Sequence, residues 1–333
     1  MRVTHAGICH TDLACHAGHI PARRPVVLGH EGAGVVVAAA DDVESIAVGT
    51  PVVMSLMSCG RCDNCLTGDV AYCAHSVELN ILGGGAGGRR TYADSDVLSH
   101  FFGQSSFATY SVAHERSLVP APSGFPLELA APLACGVMTG AGTVLNALRV
   151  RPGESVVVFG AGAVGLAAAA VARISGAAPV VVVDLVESRL DLASAVGADH
   201  VVNARETDVV AAVKEITDGG ANHTIEASGN ATALRQAIDA LRPRGSCAVV
   251  GAGHGAVEID TRGCRVKGTT IRGVSMGDAN PKSLLPYLMD EVTRGRLPLG
   301  RLVRTYPFDD IALAFEDAQA GRTVKPVLVM PAP

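Results

Sequence analysis

The chain contains no tryptophan, and aromatic residues make up only 4% of its 333 residues. So few aromatic rings argue against a stacking platform for nucleic-acid bases. Charge of one sign is not in large excess either, because 27 lysines and arginines stand against 32 acidic residues, a formal net charge of -5. This balance provides neither the basic surface that nucleic acids require nor a polybasic membrane patch. We therefore expect a small-molecule partner, with no nucleic acid and no membrane.

The sequence also lacks the pattern of a secretory leader and of a membrane span. Residues Met1–Thr11 contain no apolar segment followed by a small-residue cleavage site. Residues Val156–Ala172 carry no charge, but this run is shorter than the roughly 20 apolar residues that a spanning helix needs. Nine cysteines, four of them between Cys59 and Cys73, are too clustered for a disulfide framework and predict reduced thiols. We predict a soluble, cytoplasmic protein.

The pattern along the chain predicts two domains. Apolar residues make up 48% of the chain, which is enough for a sizeable core. Before about residue 140 the strands are short and irregular, whereas from Ser155 onward apolar runs alternate with helical segments. Such alternation favours a doubly wound parallel α/β sheet. A further change after about residue 275 indicates that this sheet ends there.

A candidate dinucleotide motif follows the first strand of the alternating region. It has the form G-x-G-x-x-G and comprises Gly160, Gly162, Val164 and Gly165. These glycines permit a tight turn, a close approach of pyrophosphate to the backbone, and close helix–strand packing. Asp184 would accept hydrogen bonds from the adenosine ribose, which favours NAD over NADP, and Arg189 would lie along the ribose edge. A structural turn without a ligand is the alternative.

Four cysteines lie within fifteen residues, at Cys59, Cys62, Cys65 and Cys73. Four soft ligands so close together predict a closed tetrahedral zinc site that stabilises a lobe and carries no chemistry of its own. An iron–sulfur cluster is the alternative, because C-x2-C-x2-C also occurs in ferredoxins. The proline that commonly follows the fourth cysteine of that motif is replaced here by Ala74.

A second set of candidate ligands comes from three distant segments. It comprises Cys9, Asp12, His30, Glu31 and Cys135. Each residue alone is ambiguous, because a lone cysteine usually packs as a small hydrophobic residue. Two cysteines and one histidine with a fourth position open, however, form the ligand set of a catalytic zinc in alcohol oxidation.

Taken in order, these motifs resemble the zinc-dependent medium-chain alcohol dehydrogenases. The segments that carry the resemblance are Gly7–Asp12, Gly29–Gly34, the four cysteines, Cys135–Gly140 and the glycine motif. Residues Phe102–Tyr110 and Thr139–Asn146 are most similar to the aryl-alcohol (benzyl alcohol) branch. The resemblance implies a mostly-β GroES-like catalytic domain at 1–138, completed by 275–333, and a Rossmann NAD-binding domain at 139–274. It also implies a homodimer or homotetramer.

The resemblance further implies roles for individual residues. The implied catalytic zinc ligands are Cys9, His30 and Cys135, with Glu31 able to approach the metal. The implied catalytic neighbours are Thr11, which receives the substrate proton, and Asp12, which orients a ligand. The implied NAD contacts are His10 and Lys325 at the pyrophosphate and Thr139 near the nicotinamide. Two zinc ions per chain are expected, one catalytic and one structural.

Two features depart from the family pattern. Ala14 stands where many relatives carry the histidine that ends the proton path. The chain also begins only eight residues before Cys9, where relatives carry a longer segment. We expect either a native start upstream of Met1 or an open sheet edge at this position.

The function that these features imply is the zinc- and NAD-dependent oxidation of a primary, aryl or allylic alcohol to its aldehyde. Leu56, Met57, Phe101, Phe102 and the segment after Phe107 either line the substrate pocket or belong to the core. One alternative is a thiol-dependent formaldehyde dehydrogenase of the same superfamily, acting on an S-hydroxymethyl thiol. The other is an inactive zinc- and nucleotide-binding protein, because of the short N-terminus.

Overall fold

The chain forms two compact units in the computed structural model. The structure describes residues 1–85, 88–89, 92, 95–98, 100–253 and 256–332. The first unit comprises Met1–Gly136, Ala279–Gly295 and Leu302–Pro333, and the second comprises Val137–Asp278 and Arg296–Arg301. Residues 296–301, which the sequence analysis assigned to the first domain, thus belong to the second unit. Their leucines, Leu297 and Leu299, are buried, but an apolar pattern does not say with which unit they pack.

The elements of the described residues are numbered in chain order. The strands are β1 (Arg2–Gly7), β2 (Glu31–Val35), β3 (Pro51–Met54), β4 (Gly84–Gly85), β5 (Gly88–Arg89), β6 (Leu118–Pro120), β7 (Val156–Phe159), β8 (Val180–Asp184), β9 (His200–Asn203), β10 (Ala221–Glu226), β11 (Leu241–Val249), β12 (Thr270–Gly273), β13 (Val303–Pro307) and β14 (Lys325–Val329). The α-helices are α1 (His10–His16), α2 (Asp63–Leu66), α3 (Ser76–Asn80), α4 (Leu127–Ala130), α5 (Gly136–Gly142), α6 (Ala163–Ile174), α7 (Glu187–Val196), α8 (Val209–Ile216), α9 (Ala231–Asp239), α10 (Thr261–Lys267), α11 (Pro281–Thr293) and α12 (Ile311–Gln319).

A six-stranded sheet organises the first unit, in the order β13-β14-β1-β2-β3-β6. Strands β13 and β14 are parallel, and the other neighbouring pairs are antiparallel. Val3, Val52 and Leu328 belong to the apolar core that this sheet covers. The expectation of an open sheet edge at the first residues is wrong. Strand β1 pairs with β2 on one side and with β14, from the far end of the chain, on the other side.

A parallel six-stranded sheet organises the second unit, in the order β12-β11-β10-β7-β8-β9. Strand β7 reads Val-Val-Val-Phe and is buried throughout, as expected for a strand covered on both faces. Helix α6 consists mainly of small residues, so it lies close to the sheet. A Cβ on Gly165 would lie 1.8 Å from the carbonyl oxygen of Gly160. The prediction of a doubly wound parallel sheet is confirmed.

The strand order of this sheet reverses at β7, which lies between β8 and β10. Ligands of doubly wound sheets bind at the carboxyl ends of the strands where such a reversal occurs. Gly160 directly follows β7, and Asp184 ends β8. The predicted nucleotide motif therefore lies at this edge of the sheet.

Among the described residues, no single helix is long and apolar enough to cross a membrane. The helical segments Leu127–Ala134 and Gly136–Ala147 reach that length only when they are counted together.

Candidate functional site

Three segments of the first unit bring a set of metal-ligating side chains together. The ligand atoms of Cys9, His30, Glu31 and Cys135 all lie within 4.8 Å of one another. Cys9 precedes α1, His30 and Glu31 stand at the start of β2, and Cys135 lies between a 3-10 turn and α5. The sulfur atoms of Cys9 and Cys135, 126 residues apart in sequence, are 4.0 Å apart.

Asp12 fixes the relative positions of these segments from within α1. Its Oδ1 accepts hydrogen bonds from the backbone N–H of Gly29 (3.1 Å) and from Nδ1 of His30 (3.0 Å). Its Oδ2 accepts from the backbone N–H of Cys9 (3.0 Å). The Asp12 side chain is fully buried, so three directed hydrogen bonds compensate the loss of its hydration. Asp12 thus ties the Cys9 segment to the His30 segment.

The hydrogen bond from His30 to Asp12 also determines which ring nitrogen is available. A carboxylate only accepts, so Nδ1 carries a proton, and Nε2 presents its lone pair whenever the ring is neutral. Nε2 is buried and has no hydrogen-bond partner in the described part of the chain. Burial favours the neutral ring, but the Asp12 carboxylate outweighs burial and raises the pKa of His30. A zinc ion bound to Nε2 would satisfy this orphaned nitrogen.

The two thiols of this cluster have opposite tendencies to ionise. The hydrogen bond from Cys135, followed by the charges of Lys325 and His30, lowers the pKa of Cys9 well below its usual value despite burial. The same hydrogen bond, together with burial, raises the pKa of Cys135. Two cysteine sulfurs beside an unsatisfied imidazole nitrogen are a donor set that suits zinc, which binds cysteine in its thiolate form.

Glu31 and Lys325 form a buried ion pair beside this cluster. The Nζ atom of Lys325 lies 2.9 Å from both carboxylate oxygens of Glu31 and donates to the carbonyl oxygen of Ile8 at 3.3 Å. Burial raises the pKa of Glu31 to about 7 although Lys325 opposes this shift. Burial disfavours the charged form of Lys325, but Glu31 outweighs it and raises the pKa of Lys325. The pair is not apparent from the sequence, since 294 residues separate its members.

The remaining predicted residues of the first unit lie at the start of α1. Thr11 is half-buried, His10 is exposed, and Ala14 faces the interior.

Of the candidate pocket residues, Met57 packs in the apolar core of the four-cysteine lobe. Phe102 instead places its ring 4.6 Å, centroid to centroid, from the imidazole of His30. An aromatic surface therefore lies next to a candidate ligand.

The four cysteines of the lobe also come together. The ligand atoms of Cys59, Cys62, Cys65 and Cys73 lie within 4.8 Å of one another, and all four are free thiols. Backbone N–H groups of Ala74 and Cys65 lower the pKa of Cys62 to about 6, whereas burial raises the pKa of Cys65 to about 12. Four sulfur ligands with backbone donors around them suit a tetrahedral zinc ion.

The glycine motif of the second unit has the conformation that the sequence pattern requires. Gly160 has φ +101°, and a Cβ there would lie 3.0 Å from the backbone nitrogen of Ser228. Gly162 precedes α6, and the space around its missing Cβ is open. Asp184 accepts hydrogen bonds from the backbone N–H groups of Ala161 (2.6 Å), Leu185 (2.7 Å) and Val186 (2.9 Å). The Asp184 carboxylate thus lies directly beside the glycine turn.

Three other predicted nucleotide contacts belong to the second unit: Val164, Thr139 and Arg189. Val164 is in the first turn of α6, and α5 packs so closely there that a Cβ on Gly140 would lie 2.1 Å from the Val164 carbonyl oxygen. Thr139 precedes Gly140 and is buried. Arg189 is half-buried in α7, and its Nε has no hydrogen-bond partner among the described residues.

Sequence reasoning missed one residue that touches both the His30 segment and β3. Gln104 is buried, and its side chain hydrogen-bonds to the backbone of His30, Gly32, Met54 and Ser55. In the sequence, Gln104 stands out only as part of Phe102–Tyr110, the segment that resembles the aryl-alcohol branch. A single polar residue between glycine and serine carries no periodic signal that would single it out.

Comparisons with known proteins bear on both units. An alcohol dehydrogenase GroES-like domain family matches residues 1–123, and a zinc-binding dehydrogenase family matches residues 163–294. Geraniol dehydrogenase of Castellaniella defragrans is 40% identical over 337 residues, covering 99% of this chain and 90% of that protein. An S-(hydroxymethyl)glutathione dehydrogenase of Escherichia coli is 34% identical over 336 residues, covering 98% and 91%.

This chain is also similar to a solved structure. The crystal structure of benzyl alcohol dehydrogenase from Acinetobacter calcoaceticus superposes with a TM-score of 0.96 at 42% identity. The match covers 99% of this chain and 91% of that one.

Proposed function

This chain belongs to the zinc-dependent alcohol dehydrogenase family of the medium-chain dehydrogenase/reductase superfamily, and we propose that it oxidises a primary aryl or allylic alcohol to its aldehyde with NAD, reversibly. The observation that carries this proposal is the convergence of Cys9, His30 and Cys135 around an unsatisfied buried imidazole nitrogen. Bound Zn²⁺ would supply Lewis acidity toward the substrate oxygen, and NAD would accept the hydride.

The residues of the first unit would hold and orient this centre. Cys9, His30 and Cys135 are the proposed ligands of the catalytic zinc, and Asp12 keeps the His30 ring in the ligating tautomer. A carboxylate oxygen of Glu31 already lies within 4.8 Å of the other three ligand atoms, and its ion pair with Lys325 would compete with a contact to the metal. Thr11, half-buried in the first turn of α1, would take the hydroxyl proton from the substrate. Because Ala14 carries no acid–base group, the proton must leave by another route.

The second unit would bind NAD at the edge where its strand order reverses. The proposed pyrophosphate and ribose contacts are Gly160, Gly162, Val164, Gly165, Asp184 and Arg189. The Asp184 carboxylate would accept the ribose hydroxyls and repel a 2′-phosphate. Thr139 would lie by the nicotinamide. His10 and Lys325 remain proposed pyrophosphate contacts. Their support is unequal, because His10 is exposed while Lys325 is 2% exposed and engaged by Glu31.

The proposed substrate class rests on the aromatic surface beside His30 and on two relatives. Phe102 offers a ring face next to the candidate ligand, which suits an aryl or allylic group. The relatives named geraniol dehydrogenase and benzyl alcohol dehydrogenase are 40% and 42% identical. The second candidate, a thiol-dependent formaldehyde dehydrogenase, is favoured by the 34% identity to an S-(hydroxymethyl)glutathione dehydrogenase. An inactive zinc- and nucleotide-binding protein stays the third hypothesis.

We also propose a zinc content, an oligomeric state and a cellular location for this protein. We propose a structural zinc at Cys59, Cys62, Cys65 and Cys73, so two zinc ions per chain. A homodimer or homotetramer is supported by β12, an outer strand of its sheet whose four residues are all exposed. Nine free cysteines support a reducing, cytoplasmic location.

The test is a substrate panel on purified protein whose zinc content has been measured. We expect NADH to form with benzyl alcohol or geraniol, and not with formaldehyde plus glutathione. Faster turnover with formaldehyde and glutathione would favour the second candidate. Full zinc loading and NADH binding without turnover on any primary alcohol would favour the third hypothesis.

A further inference from the structure

Both polar atoms of the Gln104 side-chain amide form hydrogen bonds with the backbone around the candidate metal centre. Its Oε1 accepts a hydrogen bond from the backbone N–H of Gly32 (3.0 Å), and its Nε2 donates to the carbonyl oxygen of His30 (2.9 Å). These two backbone groups flank Glu31, so one side chain spans the segment that carries two of the four clustered residues. Gln104 is 1% exposed, so its amide is shielded from bulk solvent.

The same amide reaches the end of β3. Nε2 lies 3.3 Å from the carbonyl oxygen of Met54 and 3.4 Å from that of Ser55. The hydroxyl of Ser55 in turn donates to the carbonyl oxygen of Ala134 (3.1 Å), the residue before Cys135. Through Gln104 and Ser55, a chain of hydrogen bonds therefore connects the His30 segment to the Cys135 segment.

The backbone around Gln104 is itself held in place, so the amide has a fixed origin. Phe102, Gly103 and Ser105 have φ values of +52°, +68° and +49°. For the non-glycine residues Phe102 and Ser105, this left-handed conformation persists only where the surroundings hold it. The Ser105 hydroxyl donates to the Val27 carbonyl oxygen (2.6 Å) and accepts from the backbone N–H of Phe101 (2.9 Å). This turn fixes the direction in which the Gln104 side chain leaves the backbone.

Close packing on the residues before β2 completes this arrangement. The backbone N–H groups of Ser106 and Phe107 donate to the carbonyl oxygens of Gly29 (2.9 Å) and Leu28 (3.1 Å). A Cβ on Gly29 would lie 2.5 Å from the backbone nitrogen of Phe107. The His30 segment thus lies between α1, through Asp12, and the 101–107 segment.

We propose that Gln104 is a positioning residue for the catalytic metal centre: it sets the separation of the His30 and Cys135 segments so that their ligand atoms converge. The proposal rests on the proposed metal role of Cys9, His30 and Cys135. Glutamine fits because it combines an acceptor for the Gly32 N–H with a donor for the His30 carbonyl. Asparagine has the same groups on a side chain one methylene shorter, and glutamate lacks the donor.

The test measures how fast each zinc ion leaves the holoenzyme for a chromophoric chelator. Two release phases are expected, and Cys135→Ser identifies the catalytic phase because that variant should lack it. We expect Gln104→Met, which keeps the length but cannot hydrogen-bond, to speed the catalytic phase by about 10–100-fold, as for other partners behind metal ligands. Gln104→Glu, which keeps the acceptor, should also speed this phase and serves if Gln104→Met does not fold.

Asn80 provides the matched control, because it is another buried amide of the same unit with both ends engaged. Its Oδ1 accepts from the Met57 N–H (2.8 Å), and its Nδ2 donates to the carbonyl oxygens of Met57 and Ser76 (2.9 Å each). Asn80→Leu should lower the melting temperature as Gln104→Met does but leave the catalytic phase unchanged.

Two outcomes would overturn the proposal. One is a catalytic phase at the wild-type rate in the folded glutamine variants, and the other is an equal acceleration in Asn80→Leu. If the wild-type protein has no phase that Cys135→Ser removes, the proposed metal centre itself is wrong, which is a different result.

Discussion

The two candidate metal clusters are built in opposite ways. The four-cysteine lobe takes its ligands from fifteen consecutive residues, Cys59–Cys73, and three of its sulfurs belong to half-exposed residues. The other cluster collects Cys9, His30 and Cys135 from segments as much as 126 residues apart. A local cluster needs only a short loop to form, whereas a long-range cluster exists only when strands and helices have packed. Four sulfur ligands close the coordination at the first cluster, whereas Cys9, His30 and Cys135 leave one position open, so metal loss should affect stability at the first cluster and chemistry at the second.

Replacing a ligand of the long-range cluster should give the largest effect on activity. Cys135→Ser is expected to lower kcat/KM by on the order of 10³-fold or more, since Lewis-acid stabilisation of the transition state amounts to several kcal/mol. NADH binding, followed by fluorescence, should stay close to wild type. Turnover at the wild-type rate would contradict the assignment of this ligand.

Replacing a ligand of the local cluster should mainly destabilise the fold. For Cys62→Ser we expect a loss on the order of 4 kcal/mol in the free energy of unfolding, because loss of a structural metal belongs to the most destabilising changes. Calorimetry and zinc content would measure it, and protein that stays folded should retain most of its kcat. If Cys62→Ser abolished turnover without lowering stability, the distinction between the two clusters would be wrong.

The second unit also contains a nearly local motif, the glycine turn together with Asp184, which resembles the four-cysteine lobe in this respect. Asp184→Gly removes an acceptor that binds three backbone N–H groups and that would bind the ribose. We expect about 10–100-fold weaker NAD binding, the range for a lost hydrogen bond to a charged group, and a smaller preference over NADP. Titration with both nucleotides would check this. An unchanged ratio of the two dissociation constants would rule out the proposed ribose contact.

The smallest expected effect concerns the stability of the fold in acid. Low pH should release metal from both clusters, because their ligands become protonated. A second effect of acid, which does not involve metal, is expected at Asp317. The Tyr306 hydroxyl and the Arg322 guanidinium lower the pKa of Asp317. A carboxyl group whose pKa is lower in the folded state stabilises that state at pH values above its pKa in the unfolded chain, which is about 3.9. This stabilisation is lost as the pH falls through the pKa of the folded state.

Asp317→Asn should therefore be less stable than wild type at pH 7, and the gap should close as the pH falls below about 4. Urea unfolding at several pH values would measure the gap. A gap of constant size across this range would mean that the charge of Asp317 does not contribute.

Much of the architecture followed from sequence patterns that are local. The alternation of apolar runs such as β7 and β8 with helical segments predicted a parallel sheet, because this pattern is read from residues that are only a few positions apart. Pairing between distant segments was harder to foresee. The contact of β14 with β1 and the burial of Lys325 against Glu31 depend on where the far end of the chain returns.

The sequence by itself determined the identity and spacing of the donors: four close cysteines, a glycine turn followed by an acidic residue, and three isolated metal-ligating segments. Only the tertiary structure decided that His30 lies between Asp12 and the 101–107 segment, that its Nε2 has no partner among the residues that the structure describes, and that Lys325 neutralises Glu31. The physical reason is the range of the forces involved. Turn conformation and ligand spacing are fixed within a few bonds, whereas burial and charge pairing arise from groups that meet only in the folded chain.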